Sequence, residues 1–196
     1  MRRAVLLALL ALALPFTAWA TSSIDVSNGG GTVTGSSSGL SLTGSVMFKY
    51  GTIVGSNLGT VSFTTGAFTS GDVQAGGTLA AGGSFTITGN GNNGVPNGVI
   101  FSGTFTCSPT CPTWTLVTLA NGTHNYTLNG ALAGTTTGGV GATTQITFNT
   151  GKGFFTGSVQ LSSGDTNLTV PEPGTLVLLG TGLLGVGGLL RKKLRL

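Results

Sequence analysis

Between residues 21 and 170 the chain repeats with a period of two. Val99, Phe101, Phe105 and Cys107 share one parity, and Ser102, Thr104 and Thr106 share the other. His124, Tyr126, Leu128 and Leu132 alternate with Thr123, Asn125, Thr127 and Asn129. Ile146 and Phe148 alternate with Gln145, Thr147 and Asn149, and Phe155, Val159 and Leu161 continue the pattern. Successive side chains of a strand point to opposite faces, so this pattern makes strands with one apolar and one hydroxylated face. Leu40 to Tyr50, Val61 to Phe68 and Gly83 to Thr88 are shorter candidates. Turn clusters separate them: Ser70-Gly71-Asp72, Asn90 to Gly94, Pro96-Asn97-Gly98, Asn121-Gly122 and Gly138 to Gly141. About eight such strands predict an all-β fold, a single antiparallel β-sandwich with a jelly-roll connectivity as a variant. Nine of the ten phenylalanines lie in this region and form the expected core.

The sandwich is expected over residues 39–164. Residues 21–38, nearly all Gly, Ser and Thr after Val26, read as a flexible leader. Residues 165–174 read as a linker.

The two ends differ from this body. The start, "MRRAVLLALLALALPFTAWA", has two arginines, an unbroken apolar run and the small residues Ala18 and Ala20. That order is a secretory signal peptide over residues 1–20, helical in its apolar part, with cleavage after Ala20. Near the other end, Thr175 to Leu190 is uncharged and apolar. As a helix it would measure about 24 Å, near the thickness of a bilayer core. Arg191, Lys192, Lys193 and Arg195 follow within residues 191–196, and positive residues stay in the cytoplasm. The expectation is a transmembrane helix over 175–190 with the body outside. Gly180 to Gly185 matches G-x-G-x-x-G. A dinucleotide fingerprint also needs a preceding strand and an acid about 20 residues later, and neither is present.

Val170, Pro171, Glu172 and Pro173, then the apolar span, then the basic cluster, resemble the PEP-CTERM sorting signal. The resemblance covers the C-terminal tail alone. It implies a Gram-negative-type bacterium and processing by an exosortase, a membrane-embedded cysteine transpeptidase cutting near Pro-Glu-Pro. It also implies an association with exopolysaccharide and biofilm. Signal peptidase and exosortase are the expected processing partners. The membrane is held transiently through the C-terminal helix, and the cell surface or extracellular matrix is the destination.

The net charge of +4 suggests a basic protein, but six of the eight basic residues lie in the two terminal segments. Between residues 21 and 170, Asp25, Asp72 and Asp165 face only Lys49 and Lys152. No basic cluster exists there to displace counterions from phosphates, so nucleic acid is excluded as a partner. Cys107 and Cys111 are the only cysteines, and in an oxidising compartment they should pair as a loop staple. So small a ring is worth about 2 kcal/mol.

Little chemistry is available. His124 is the only histidine, no G-x-S-x-G elbow precedes a helix, and the aspartates are scattered in sequence. No metal site and no cofactor is expected, and the chain reads as a non-enzyme. The leading function is a structural or adhesive component of the exopolysaccharide layer. The rival is a carbohydrate-binding module that uses Trp114 and Tyr126 as an aromatic platform. The competing reading of these two rings is core packing with their polar tips satisfied.

Overall fold

The computed structural model describes residues 22–134 and 141–170. They form one antiparallel sheet of thirteen strands. In chain order these are β1 (Ser22–Gly29), β2 (Thr32–Ser36), β3 (Gly39–Tyr50), β4 (Ile53–Thr64), β5 (Phe68–Asp72), β6 (Gly76–Leu79) and β7 (Gly82–Asn90). They continue with β8 (Asn97–Thr106), β9 (Thr113–Thr118), β10 (His124–Gly134), β11 (Gly141–Asn149), β12 (Ser158–Gln160) and β13 (Ser163–Val170).

The sheet is not a sandwich. Eight strands run in the order β11-β13-β1-β3-β4-β7-β8-β10, and β10 pairs again with β11 from Asn125↔Asn149 to Leu132↔Ala142. The sheet therefore closes into a barrel. Closure satisfies every barrel edge, which two stacked sheets cannot do. An eight-stranded barrel is just wide enough for side chains to fill. Here Val26, Leu42, Met47, Val61, Phe85, Ile87, Phe101, Leu128 and Ile146 fill it, all buried.

The remaining strands attach outside the ring. β9 pairs with the first half of β10, β6 with β9, and β5 with β6. β2 pairs with the first half of β3, and β12 with β2.

Two segments expected to be loose carry strands of the sheet. The predicted leader, 21–38, carries β1 and β2, and the predicted linker, 165–174, begins inside β13. β13 and β1 are neighbours, so the two ends of the body complete the ring. The compact unit is Ser23–Val170 rather than 39–164. Both helices expected at 1–20 and 175–190 lie outside the described residues. Among the described residues no helix is found, and none is long and apolar enough to cross a membrane.

Bulges reverse the parity of single strands. In β3, Leu40 and Leu42 are buried, then Ser45 and Met47. The reversal falls at Gly44, where the register with β4 shifts and φ is 70°. A bulge adds one residue to one strand, so every later side chain in that strand changes face. In β8 the pairing moves from Ile87↔Phe101 to Thr88↔Val99, so Val99 faces out, 58% exposed, although it shares parity with buried Phe101. The phenylalanine core is likewise smaller than expected. Phe63, Phe85, Phe101, Phe105, Phe148 and Phe155 are buried, whereas Phe48 and Phe154 are exposed.

Candidate functional site

The outer faces of β9, β10, β11 and β13 present polar side chains in register. One row is Thr115, Thr127, Thr147 and Ser163. The next is Thr113, Asn129, Gln145 and Asp165. Adjacent strands lie about 4.8 Å apart, so these groups succeed one another at that spacing. Several are tied to each other. The Gln145 amide donates to Asn129 Oδ1 at 2.9 Å, the Asn149 amide donates to Asn125 Oδ1, and the Thr127 and Thr147 hydroxyls meet at 3.4 Å. Alternation built this face, because each inward Leu128 or Ile146 forces its neighbours outward. Asp165 is the only ionisable side chain in the two rows.

Asp165 also closes a charged cluster that sequence reasoning missed. Ser27 donates to Asp165 Oδ1 at 3.2 Å, and Lys49 Nζ donates to Asp25 Oδ2. Three of the five Asp and Lys residues of the body therefore meet across β13, β1 and β3. Asp25 and Asp165 stand near opposite ends of the body sequence, and nothing in their spacing signals contact. Barrel closure brings them together. The Lys49 ammonium holds the Asp25 carboxyl below its ordinary value of 3.8. Asp165 is pushed above that value, first by burial and then by its contact with Asp25. Among the described residues no group of three His, Cys, Asp or Glu side chains could hold a metal ion.

The other predicted site residues fall elsewhere. Trp114 and Tyr126 are stacked with ring centroids 5.2 Å apart, but both are buried against Phe148 and Phe155. Trp114 Nε1 donates to the Val73 carbonyl at 2.9 Å, and the Tyr126 hydroxyl donates to the Gln74 carbonyl at 2.7 Å. The two rings are core residues with satisfied tips, and they form no exposed platform. His124 is 7% exposed, with Nδ1 3.2 Å from the Gly153 carbonyl and its ring stacked on Phe154. Asp72 caps the β5–β6 turn by accepting from Gln74 N and Ala75 N, each at 2.7 Å, which lowers its pKa. The turn expected at Ser70-Gly71-Asp72 thus lies after Asp72. Cys107 and Cys111 are joined as a disulfide, as their export predicts.

A shallow groove of about 320 Å³ opens on another part of the wall, lined by Thr34, Ser36, Ser38, Ser41, Thr64 and Thr65 among others. Much of its hydrogen-bonding capacity is used internally. Thr34 and Ser41 share a 2.7 Å hydrogen bond, and Thr65 Oγ1 accepts from Leu40 N while donating to the Gly66 carbonyl.

Of the sorting residues, Val170 ends β13, and Pro171, Glu172 and Pro173 lie outside the described residues, as do Arg191, Lys192, Lys193 and Arg195. Residues 169–192 match the PEP-CTERM protein-sorting motif. The motif marks an exported protein that is addressed to an exosortase, with a cell-surface or extracellular destination. No curated protein and no solved structure matches the chain. The match begins at Thr169, which still pairs with Gly141 in the barrel wall, so address and fold overlap by two residues.

Proposed function

We propose that the chain is a non-catalytic structural or adhesive component of the exopolysaccharide layer. In this reading signal peptidase removes residues 1–20. The apolar tail then holds the protein at the inner membrane until exosortase cuts near Pro171-Glu172-Pro173, and the barrel passes to the cell surface or matrix. One observation carries the role of the barrel: its exterior offers ordered hydroxyls and amides with almost no charge, over an interior filled with side chains. Catalysis would need titratable groups converging in a cleft. Asp72 is engaged in a turn, His124 is packed under Phe154, and Asp25 is paired with Lys49 on the outer wall.

Two measurements on the native host test this reading. Mass spectrometry of the mature protein should find residues 1–20 absent and the chain ending near Pro-Glu-Pro. Fractionation should find it with the extracellular polysaccharide. A protein that keeps Arg191 to Leu196, or that stays with cytoplasmic material, would overturn it.

A further inference from the structure

One contact on the outer wall sets an amine against a carboxyl. Asp25 and Ser27 leave β1 on the same face, and Lys49 of β3 is paired opposite Ser27. From there Lys49 Nζ reaches Asp25 Oδ2 at 2.5 Å. A third group stands beside them. The Asp165 carboxyl, on the neighbouring β13, accepts from Ser27 and lies within hydrogen-bond reach of Asp25. We propose that Lys49 and Asp25 condense to an intramolecular amide, with Asp165 carrying the protons, so that the mature protein holds a covalent tie between β1 and β3. The inference does not depend on the matrix role.

An ion pair alone does not explain the arrangement. A pair whose side chains are 38% and 33% exposed adds little to stability. A second carboxyl beside Asp25 brings like charges together, which opposes the ionisation of both. Two carboxyls form a hydrogen bond only when one of them carries a proton. Asp165, held above its ordinary value by burial and then by Asp25, is the one that keeps it. Asp25 Oδ1 is buried, and among the described residues no amide, ammonium or hydroxyl donor reaches it. A proton arriving from Asp165 therefore finds an open place on the carboxyl that Lys49 faces.

The step balances without a co-reactant. Asp165 gives its proton to Asp25, which makes the Asp25 Cγ electrophilic. It then takes one proton from the Lys49 ammonium, and the free amine attacks Cγ. Asp165 passes that proton to the departing hydroxyl and takes the surplus proton from nitrogen as the carbonyl reforms. One C–N bond forms, one C–O bond breaks, one water leaves, and Asp165 ends protonated as it began. Holding the amine against the carboxyl supplies the effective concentration that separate amines and acids in water lack. The hydrogen bond to Asp25 keeps Lys49 protonated and solvent reaches both groups, so the step is slow. The freshly folded chain is therefore unlinked, and the acid–base behaviour of the three groups belongs to it. Once formed, the amide keeps β1 on β3 even when the hydrogen bonds between them open.

The test is the intact mass of the protein purified from its host, and of the refolded full chain sampled over days at neutral pH. The linked chain should be lighter by one water. After denaturation, trypsin should fail to cut after Lys49, whose amine is acylated, while still cutting after Lys152. The aged chain should melt about 5–10 °C above the fresh one, because the bond closes a loop in the unfolded state. Lys49→Arg keeps a cation beside Asp25 and should retain its full mass. Asp165→Asn should fold and should link at least about ten-fold more slowly, having lost the proton carrier. The proposal fails if the host protein and the aged chain both keep their full mass and trypsin cuts after Lys49. It fails equally if Lys49→Arg loses water as the parent does. An Asp165→Asn chain that links as fast as the parent overturns the role given to Asp165.

Discussion

The Ser27 hydroxyl donates to the Asp165 carboxylate at 3.2 Å across a sequence separation of 138 residues. That contact exists because the first and last strands of the body lie side by side. It places a carboxylate of β13 next to the Asp25–Lys49 pair, and the mixture of signs there has consequences for stability.

The pH dependence has two opposing parts. Asp25 and Asp72 have lowered values in the fold, so they add stability above 3.8 that is lost as pH falls through their folded values. Asp165 has a raised value, so its contribution is complete below 3.8 and is lost as pH rises through the folded value. Asp165→Asn keeps an acceptor for Ser27 and removes the like charge facing Asp25. It should raise the melting temperature at neutral pH, and the advantage should vanish below 3.8. Asp72→Asn should lower the melting temperature at neutral pH. Thermal melts across pH check both signs.

Gly44 and Gly83 have the same φ, 70°, in different surroundings. A Cβ on Gly44 would find its nearest atom at 3.9 Å, whereas one on Gly83 would lie 2.1 Å from the Thr64 carbonyl oxygen. Gly44→Ala should therefore cost only the left-handed backbone penalty, about 1–2 kcal/mol. Gly83→Ala should cost that and, in addition, the displacement of β4 from β7. Urea midpoints of the two variants should differ clearly, with Gly83→Ala the lower.

Tyr126 joins the exposed turn residue Gln74 to the buried Phe155, donating to the Gln74 carbonyl and accepting from Phe155 N at 3.1 Å. Tyr126→Phe keeps the ring and strands the buried Phe155 N–H, which should cost about 1–3 kcal/mol. Trp114→Ala should cost about 3–5 kcal/mol through the cavity it leaves. Denaturant unfolding reads both. A Trp114→Ala protein of unchanged stability would contradict its place in the core.

Ending the chain at Val170 leaves every barrel strand in place. Ending it at Ser162 deletes β13, leaves β11 and β1 each with one free edge, and opens the ring. The chain of residues 22–170 should melt cooperatively by circular dichroism, and 22–162 should show no cooperative transition.

Part of this architecture is legible in the residues themselves. The strand faces around Phe105, Tyr126, Leu128, Ile146 and Phe148 come from alternation, because a pleated backbone sends each second side chain the same way. The rings of Trp114 and Tyr126 can be read two ways, as a sugar platform or as core, and only the carbonyls of Val73 and Gln74 above them decide between the two. Alternation misplaces Val99, because a bulge reverses parity and leaves no mark on composition. The residues of β1 and β2 read as loose because Gly, Ser and Thr are common to linkers and to outer barrel walls.

The sequence alone determined that the body is built of strands, which faces are polar, that the cysteines can pair, and that the tail carries a sorting address. These are local properties, set by backbone period, residue chemistry and order along the chain. The tertiary structure decided that the sheet closes on itself, that β1 meets β13, and that Asp25, Lys49 and Asp165 share one place. An apolar strand face is satisfied equally by a facing sheet or by the far wall of a barrel, so pattern cannot choose between them. The choice rests on which strands hydrogen-bond side by side.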